Sequence, residues 1–209
     1  MNTPSRFWAE WSTQDFSQLR SRGAAASMIA VLPVAATEQH GPHLPLCVDT
    51  ALVDGIVAAT LAHLPAALPV LFLPTQAVGL SPEHARFAGT LTLKIDTIIR
   101  LWTDIKKLVL FNAHGGQVSV LDIVARDLRA RLGMLVYGVS WFNLPLTDEQ
   151  GADANQLFSV DEHRFGIHAG DIETSMMLAL KPDLVDMTRA ANFPSSSQTR
   201  AQAFPILGN

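Results

Sequence analysis

A lone cysteine, Cys47, is all the thiol this 209-residue chain carries, which excludes an internal disulfide and any cysteine-built zinc site. Positive charge is also scarce. Fifteen Lys and Arg stand against nineteen Asp and Glu, a formal net charge of −4, and no basic run occurs. The electrostatic footprint of a nucleic-acid binder is therefore missing, and nucleic acid is not expected as a partner. No G-x-S-x-G elbow, P-loop, G-x-G-x-x-G or paired C-x-x-C is present, which removes the commonest serine-hydrolase, nucleotide and zinc-ribbon signatures. The polar N-terminal stretch, residues 1–16, lacks the charged-then-apolar order of a secretory signal, so a cytoplasmic protein is expected. Asp, Glu, Lys and Arg are absent between Asp54 and Glu83, but Pro65, Pro69 and Pro74 cut that stretch into pieces too short to span a bilayer. No membrane partner is expected.

What the chain does have is apolar mass. Hydrophobic residues make up 48% and charged residues only 16%, enough for a sizeable core and too apolar for disorder. The length suits one domain over residues 1–209, with the Ser-, Pro- and Gln-rich residues 190–209 as a tail or excursion. Apolar runs of strand length fall at residues 28–34, 70–73, 108–111 and 134–139. Helical patterns fall at 51–64, 95–105, 118–131 and 172–180. Strand–helix alternation implies buried parallel strands covered on both faces. The expected fold is α/β: a three-layer α/β/α sandwich with a mainly parallel central sheet.

In such sheets ligands gather where loops leave the carboxyl ends of strands. The first strand runs into Glu38-Gln39-His40-Gly41-Pro42-His43, and the third into Asn112-Ala113-His114-Gly115-Gly116. In extended chain Glu38 and His40 point the same way, and Asp49 follows across a Gly-Pro loop that can fold back as a third hard or borderline ligand. The pair alone is equally consistent with a simple Glu–His hydrogen bond. His114 precedes two glycines that allow close backbone approach, as at a ligand or at an ordinary tight turn. A third cluster holds His168 between glycines, with Glu173 in the first turn of a helix, where an acid also suits the helix dipole. Ser81-Pro82-Glu83-His84 reads most simply as a solvated loop. Cys47 reads as a small hydrophobe, and His63 and His163 as surface or packing residues. Three histidines and three carboxylates on three loops compose a site for one or two Zn, Mn or Fe ions.

These segments, Glu38-Gln39-His40-Gly41-Pro42-His43-Leu44-Pro45-Leu46 with Asp49, Asn112-Ala113-His114-Gly115-Gly116, and His168-Ala169-Gly170 with Glu173-Thr174-Ser175, resemble the creatininase (creatinine amidohydrolase) family. Glu83-His84 with Gly89-Thr90-Leu91 also matches its pattern, and the motifs come in family order. The resemblance implies a metal-dependent amidohydrolase that cleaves a C–N bond of a small polar amide, cyclic amide or formamide. It implies two divalent cations per chain (Zn, Mn or Fe), one held by Glu38, Asp49 and His114 and the other by His40, Asp49 and Glu173. A water bridging them would lose its proton near neutral pH, with His168 as proton shuttle to the leaving nitrogen. A homo-oligomer, a hexamer in the family, is implied too. The alternatives are a silent metal-binding scaffold of the same fold and a peptide-clipping member of the family.

The sequence departs from creatininase itself at four places. Gly116 stands where creatininase has a ligand glutamate, which passes that duty to Glu173. Arg164 stands where creatininase has a tryptophan, which disfavours creatinine and admits a substrate with a negative group. Residues 93–107 are also shorter than the family's helix-and-turn, and members usually continue past the position of Asn209.

Overall fold

The computed structural model describes residues 5–104 and 108–204. Four strands, β1 (Ile29–Val34), β2 (Val70–Phe72), β3 (Leu108–Asn112) and β4 (Tyr137–Ser140), form one sheet in the order β2-β1-β3-β4, and all neighbours are parallel. Among the described residues seven α-helices accompany them: α1 (Thr13–Ser21), α2 (Val48–Leu61), α3 (Ile95–Asp104), α4 (Val118–Leu132), α5 (Val160–Phe165), α6 (Asp171–Leu180) and α7 (Ser196–Ala203). The chain goes out from β1 to β2 and crosses back to β3 on the other side. The order therefore reverses between β1 and β3, and at such a switch point the flanking loops part and leave a crevice.

Alternation along β1 shows why both faces are covered. Val31 packs with Val57, Val70 and Phe72 on the side of α2. Leu32 and Val34 point the opposite way, into a cluster with Ile98 and Trp102 of α3 and Val120, Leu121, Val124 and Leu128 of α4. Successive strand side chains face opposite sides, so a run that is apolar at every position must be sandwiched. The three-layer arrangement follows. Trp102, fully buried, keeps its indole N–H satisfied by donating to Gln76 Oε1 at 2.6 Å. Gly133, in the left-handed conformation at φ 61°, ends α4, its N–H donating to the Arg129 carbonyl.

The expected strands and the four expected helices are present, with shifted ends. The second helix begins at Val48 rather than residue 51 and stops at Leu61, so Asp49 lies inside its first turn rather than in the preceding loop. A carboxylate there faces the positive end of the helix. Residues 105–107, including the expected end of the third helix and part of the short 93–107 stretch, lie outside the described residues.

Helices α1, α5 and α7 carry no buried residue, which is why no apolar periodicity announced them. Helix α1 rests on a local signal instead, a capping box in which Ser12 and Asp15 satisfy each other's backbone N–H. The expected tail contains α7, and residues 205–209 lie outside the description. Among the described residues no helix is long and apolar enough to cross a membrane.

Candidate metal centre

The last register pairs, Val34 with Asn112 and Asn112 with Ser140, bring the loops after β1, β3 and β4 out of the sheet at one level. His114 is fixed from below. Its backbone N–H donates to Asn112 Oδ1 (3.0 Å), its carbonyl accepts from Asn112 Nδ2 (2.8 Å), and Gln117 Nε2 donates to the same Oδ1 (3.0 Å). Asn112 and Gln117 are both fully buried. An unpaired amide is costly in such a place, so this network fixes the loop.

Above it Glu38, His40, Asp49 and His114 meet with 0–2% of their surface exposed. Asp49 stands between two imidazoles: Oδ1 is 3.2 Å from His40 Nε2 and Oδ2 is 3.3 Å from His114 Nδ1. His114 Nδ1 is also 3.2 Å from Glu38 Oε1, and His40 Nε2 is 3.7 Å from Glu173 Oε1.

The outer nitrogens define the tautomers, because a carbonyl can only accept. His40 Nδ1 donates to the Glu38 carbonyl (3.1 Å) and His114 Nε2 to the Leu80 carbonyl (2.9 Å). His40 Nε2 and His114 Nδ1 are thereby left as lone-pair atoms facing inward, the arrangement in which an imidazole ligates. Glu38 is divided the same way. Its Oε2 accepts from Ser81 Oγ and from His84 Nδ1 (2.9 Å), and its Oε1 faces His114.

Buried Glu38 Oε1, His40 Nε2, Asp49 Oδ2 and His114 Nδ1 have no hydrogen-bond partner among the described residues. Buried polar atoms are rarely left so, and here the orphans converge on each other. Ligand atoms of Glu38, Asp49 and His114 lie within 4.8 Å of one another, as do those of His40, Asp49 and Glu173, with Asp49 common to both sets. Hard carboxylate oxygens mixed with imidazole nitrogens suit Zn, Mn or Fe. The residues fit a pair of divalent cations.

His168 and Glu173 complete the cluster from the other side. His168 Nε2 is 3.3 Å from Glu38 Oε1 and its Nδ1 is 3.9 Å from Glu173 Oε1. Its ring lies edge-on to those of His40 and His84, at 4.6 and 4.7 Å. Its donor atoms also form a close set with Glu38 and His40. The next residue, Ala169, has φ 56°, left-handed backbone that costs a non-glycine residue about 1–3 kcal/mol and is found where a site requires it. Its N–H donates to Glu173 Oε2 at 2.5 Å.

The solvated reading of residues 81–84 needs correction. Ser81 is fully buried and His84 is turned inward, both donating to Glu38, and only the Glu83 side chain stays 43% exposed. A serine and a histidine three apart in a short Pro-containing turn give no periodic signal; the family pattern marked His84, and nothing marked Ser81. His43, at 5% exposure, bonds Thr174, a partner no local pattern connects to it. Cys47 is half-buried at the start of α2 and belongs to none of the ligand sets. Arg164 lies over the Phe165 ring, 5.0 Å from its centre. His63 and His163 are exposed, the latter bonded to the Asn155 carbonyl.

Charge balance follows from this crowding. Burial works against a charged His114, but Asp49 and Glu38 beside it carry it up to about 10; burial likewise opposes His40, and Asp49 and Glu173 carry it to about 9. For Glu38 burial is outweighed by His114, Ser81 and His84, which hold it near 2. Burial dominates at Glu173, pushing it up to about 7. In cation-free protein the two imidazoles thus hold protons where cations would stand.

Their folded values exceed the ordinary 6.5, so their stabilising contribution is complete below that pH and lost as pH rises through 9 to 10. Chelator-treated protein is expected to lose melting temperature between about pH 6.5 and 10. Cation-loaded protein, whose imidazoles are already deprotonated, will not lose stability by this route. Parallel melts of the two forms across that range check it.

Fold and centre define a class: an α/β sandwich whose strand-end loops converge on a shared carboxylate. The profile of the family described as creatinine amidohydrolase matches residues 9–207, and the chain belongs to the creatininase family. It is 33% identical over 180 residues to the mycofactocin precursor peptide peptidase of Mycobacterium tuberculosis (strain ATCC 25618 / H37Rv), an alignment covering 79% of this chain and 64% of that protein. It thus spans slightly under two thirds of the length of that relative. To the creatinine amidohydrolase of Pseudomonas putida it is 28% identical over 211 residues, covering 91% and 79%. Among solved structures, one described as "Creatininase Mn" superposes with a TM-score of 0.70 at 28% identity, covering 93% of this chain and 80% of that one.

Proposed function

We propose that this chain is a single-domain, metal-dependent amidohydrolase that cleaves a C–N bond of a small polar amide, cyclic amide or formamide. The observation that carries the reading is Asp49, with one carboxylate oxygen toward His40 and the other toward His114. Glu38, Asp49 and His114 would hold one divalent cation, and His40, Asp49 and Glu173 the second. Bound there, a pair of Zn, Mn or Fe ions would supply carbonyl polarisation and a water acidified to near neutrality; manganese is supported by the similar structure described with it.

The chain's own residues do the rest. Ser81 and His84 orient Glu38 by occupying its Oε2. The Glu38 and Leu80 carbonyls take the outer N–H of His40 and His114, so the nitrogens that face inward are the ones a cation would displace protons from. His168, with 17% of its side chain reaching solvent beside Glu38, is placed to pass a proton to the leaving nitrogen. Near-complete burial of the four inner ligands excludes bulk water from them.

A peptide-clipping activity is the second reading, favoured by the identity to the peptidase of Mycobacterium tuberculosis. A homo-oligomer, a hexamer by family resemblance, located in the cytoplasm goes with either, and exposed Leu135, Tyr137, Leu157 and Phe193 are surfaces an assembly would cover.

The test is a turnover screen of formamides, lactams, ureido compounds and short peptides on protein purified without chelator, after stripping, and after return of Mn²⁺ or Zn²⁺. Turnover that disappears and returns with the cation is expected, and the substrate that responds chooses between the readings. A folded, cation-loaded protein silent on the whole panel would favour the scaffold.

A further inference from the structure

The two ligand sets are built on unequal foundations. Glu38 and His114 leave neighbouring strands, and Asp49 starts the helix that follows the β1 loop, so the first set belongs to the sheet and its connections. Glu173 belongs to α6, which packs on α2 rather than on the sheet, Met177 joining Leu44, Val48, Ala51 and Leu52. Apolar contacts of that kind are non-directional. They hold α6 close and leave its rotation, and with it the aim of Glu173, to be set by something directional.

One buried polar chain supplies that direction. His43, three residues after His40, donates from Nε2 to Thr174 Oγ1 at 3.0 Å, across 131 residues of sequence. Thr174 adjoins Glu173, and its hydroxyl donates onward to the Ala169 carbonyl at 3.5 Å, a long bond. The Ala169 N–H donates to Glu173 Oε2. The left-handed Ala169 peptide is thus held at both ends, directly behind His168. Gly41, at φ 68°, lets the β1 loop come so near that a Cβ there would stand 2.9 Å from that of Ala169. The Asp186 N–H donates to the His43 carbonyl (2.9 Å) and fastens the same loop to the chain beyond α6.

We infer that His43 and Thr174 are positioning residues forming a clamp that sets the affinity of the second cation alone, so that the centre loads in two unequal steps. The ion at Glu38, Asp49 and His114 enters a site fixed by the sheet. The ion at His40, Asp49 and Glu173 enters a site that exists only while the clamp holds α6 in register. The inference rests on the two-cation reading above.

Calorimetric titration of chelator-stripped full-length protein with Mn²⁺ tests both, and their failures look different. Wild type is expected to take up two equivalents in resolved steps. Thr174→Val, which keeps side-chain volume and loses the hydroxyl, is expected to leave the first step within about twofold and weaken the second about 10- to 100-fold, the range seen when a partner holding a ligand is removed. Thr174→Ser should restore it. His43→Leu attacks the clamp from its other end, and the double variant should be no worse than the poorer single one, because both remove the same bond. Two unchanged steps in a folded variant, or equal weakening of both, would overturn the clamp and leave the two-cation reading standing. A wild type that binds fewer than two equivalents would overturn the reading and the clamp with it.

Discussion

Replacing Asp49 by alanine will empty the centre of both cations, where removing any other ligand empties at most one site. Asp49 is the residue common to the two sets proposed to hold the cations, Glu38–Asp49–His114 and His40–Asp49–Glu173, and its two oxygens are divided between His40 Nε2 and His114 Nδ1. Without it the first set keeps Glu38 and His114 and the second keeps His40 and Glu173. Two ligands hold a divalent ion far more weakly than three, and the bridging carboxylate's charge, which offset the repulsion between neighbouring cations, is gone as well. Elemental analysis of protein purified without chelator should fall from about two metals per chain to near zero. In the same assay Glu173→Ala should retain about one. Folding is checked separately, since the variant leaves two buried imidazoles facing a void; they can shed their protons and stay neutral, so a folded chain is expected near neutral pH. A folded Asp49→Ala protein that kept both metals would refute the shared-carboxylate centre outright.

The sheet was legible because its signal is redundant. Each residue of a doubly covered parallel strand is apolar, so β1 shows as an unbroken run from Ile29 to Val34, and the loops after β1 and β3 are rich in histidine and glycine. The helices that carry no buried residue were not legible, since α5 and α7 have nothing to repeat at helical spacing. The start of α2 was misplaced for a related reason. Val48 and Asp49 are buried by what folds over them, and Cys47-Val48-Asp49-Thr50 offers no conventional cap: Cys47 precedes the helix without a side-chain hydrogen bond.

At the centre, sequence spacing could pair Glu38 with His40, because two-residue alternation in extended chain is a local rule. It could not join either to Glu173, more than a hundred residues away, nor divide Asp49 between two imidazoles. Those steps came from the family resemblance; the structure places the candidate ligand atoms of each set within 4.8 Å of one another. What neither spacing nor resemblance supplied were the supporting bonds: Ser81 and His84 on the outer oxygen of Glu38, the Leu80 carbonyl on His114, and His43 on Thr174. Backbone carbonyls are present at every residue, and a hydroxyl or imidazole becomes a support only when the fold closes, so such contacts leave no trace in order or spacing.

His168 is where geometry allows two roles, and one variant separates them. Its donor atoms form a close set with Glu38 and His40, so it could ligate. Yet it lies 3.3 Å from Glu38 Oε1, and 17% of its side chain reaches solvent, where Glu38 and His40 show none. A group that must exchange protons with solvent and substrate needs that exposure; Glu173 shares it, so metal content rather than exposure separates ligand from shuttle. In cation-free protein burial and the neighbouring His40 charge hold it neutral, at about 4, and a cation in place of the His40 proton would remove the second of these causes. His168→Ala is therefore expected to keep its full metal content while losing turnover by about 10²- to 10⁴-fold, the usual contribution of a positioned acid–base group. The loss should fall on kcat, and amides with better leaving groups should be hurt least, because a nitrogen that departs easily needs its proton less. If the variant instead loses a metal, His168 is a ligand and the proton shuttle is a different group.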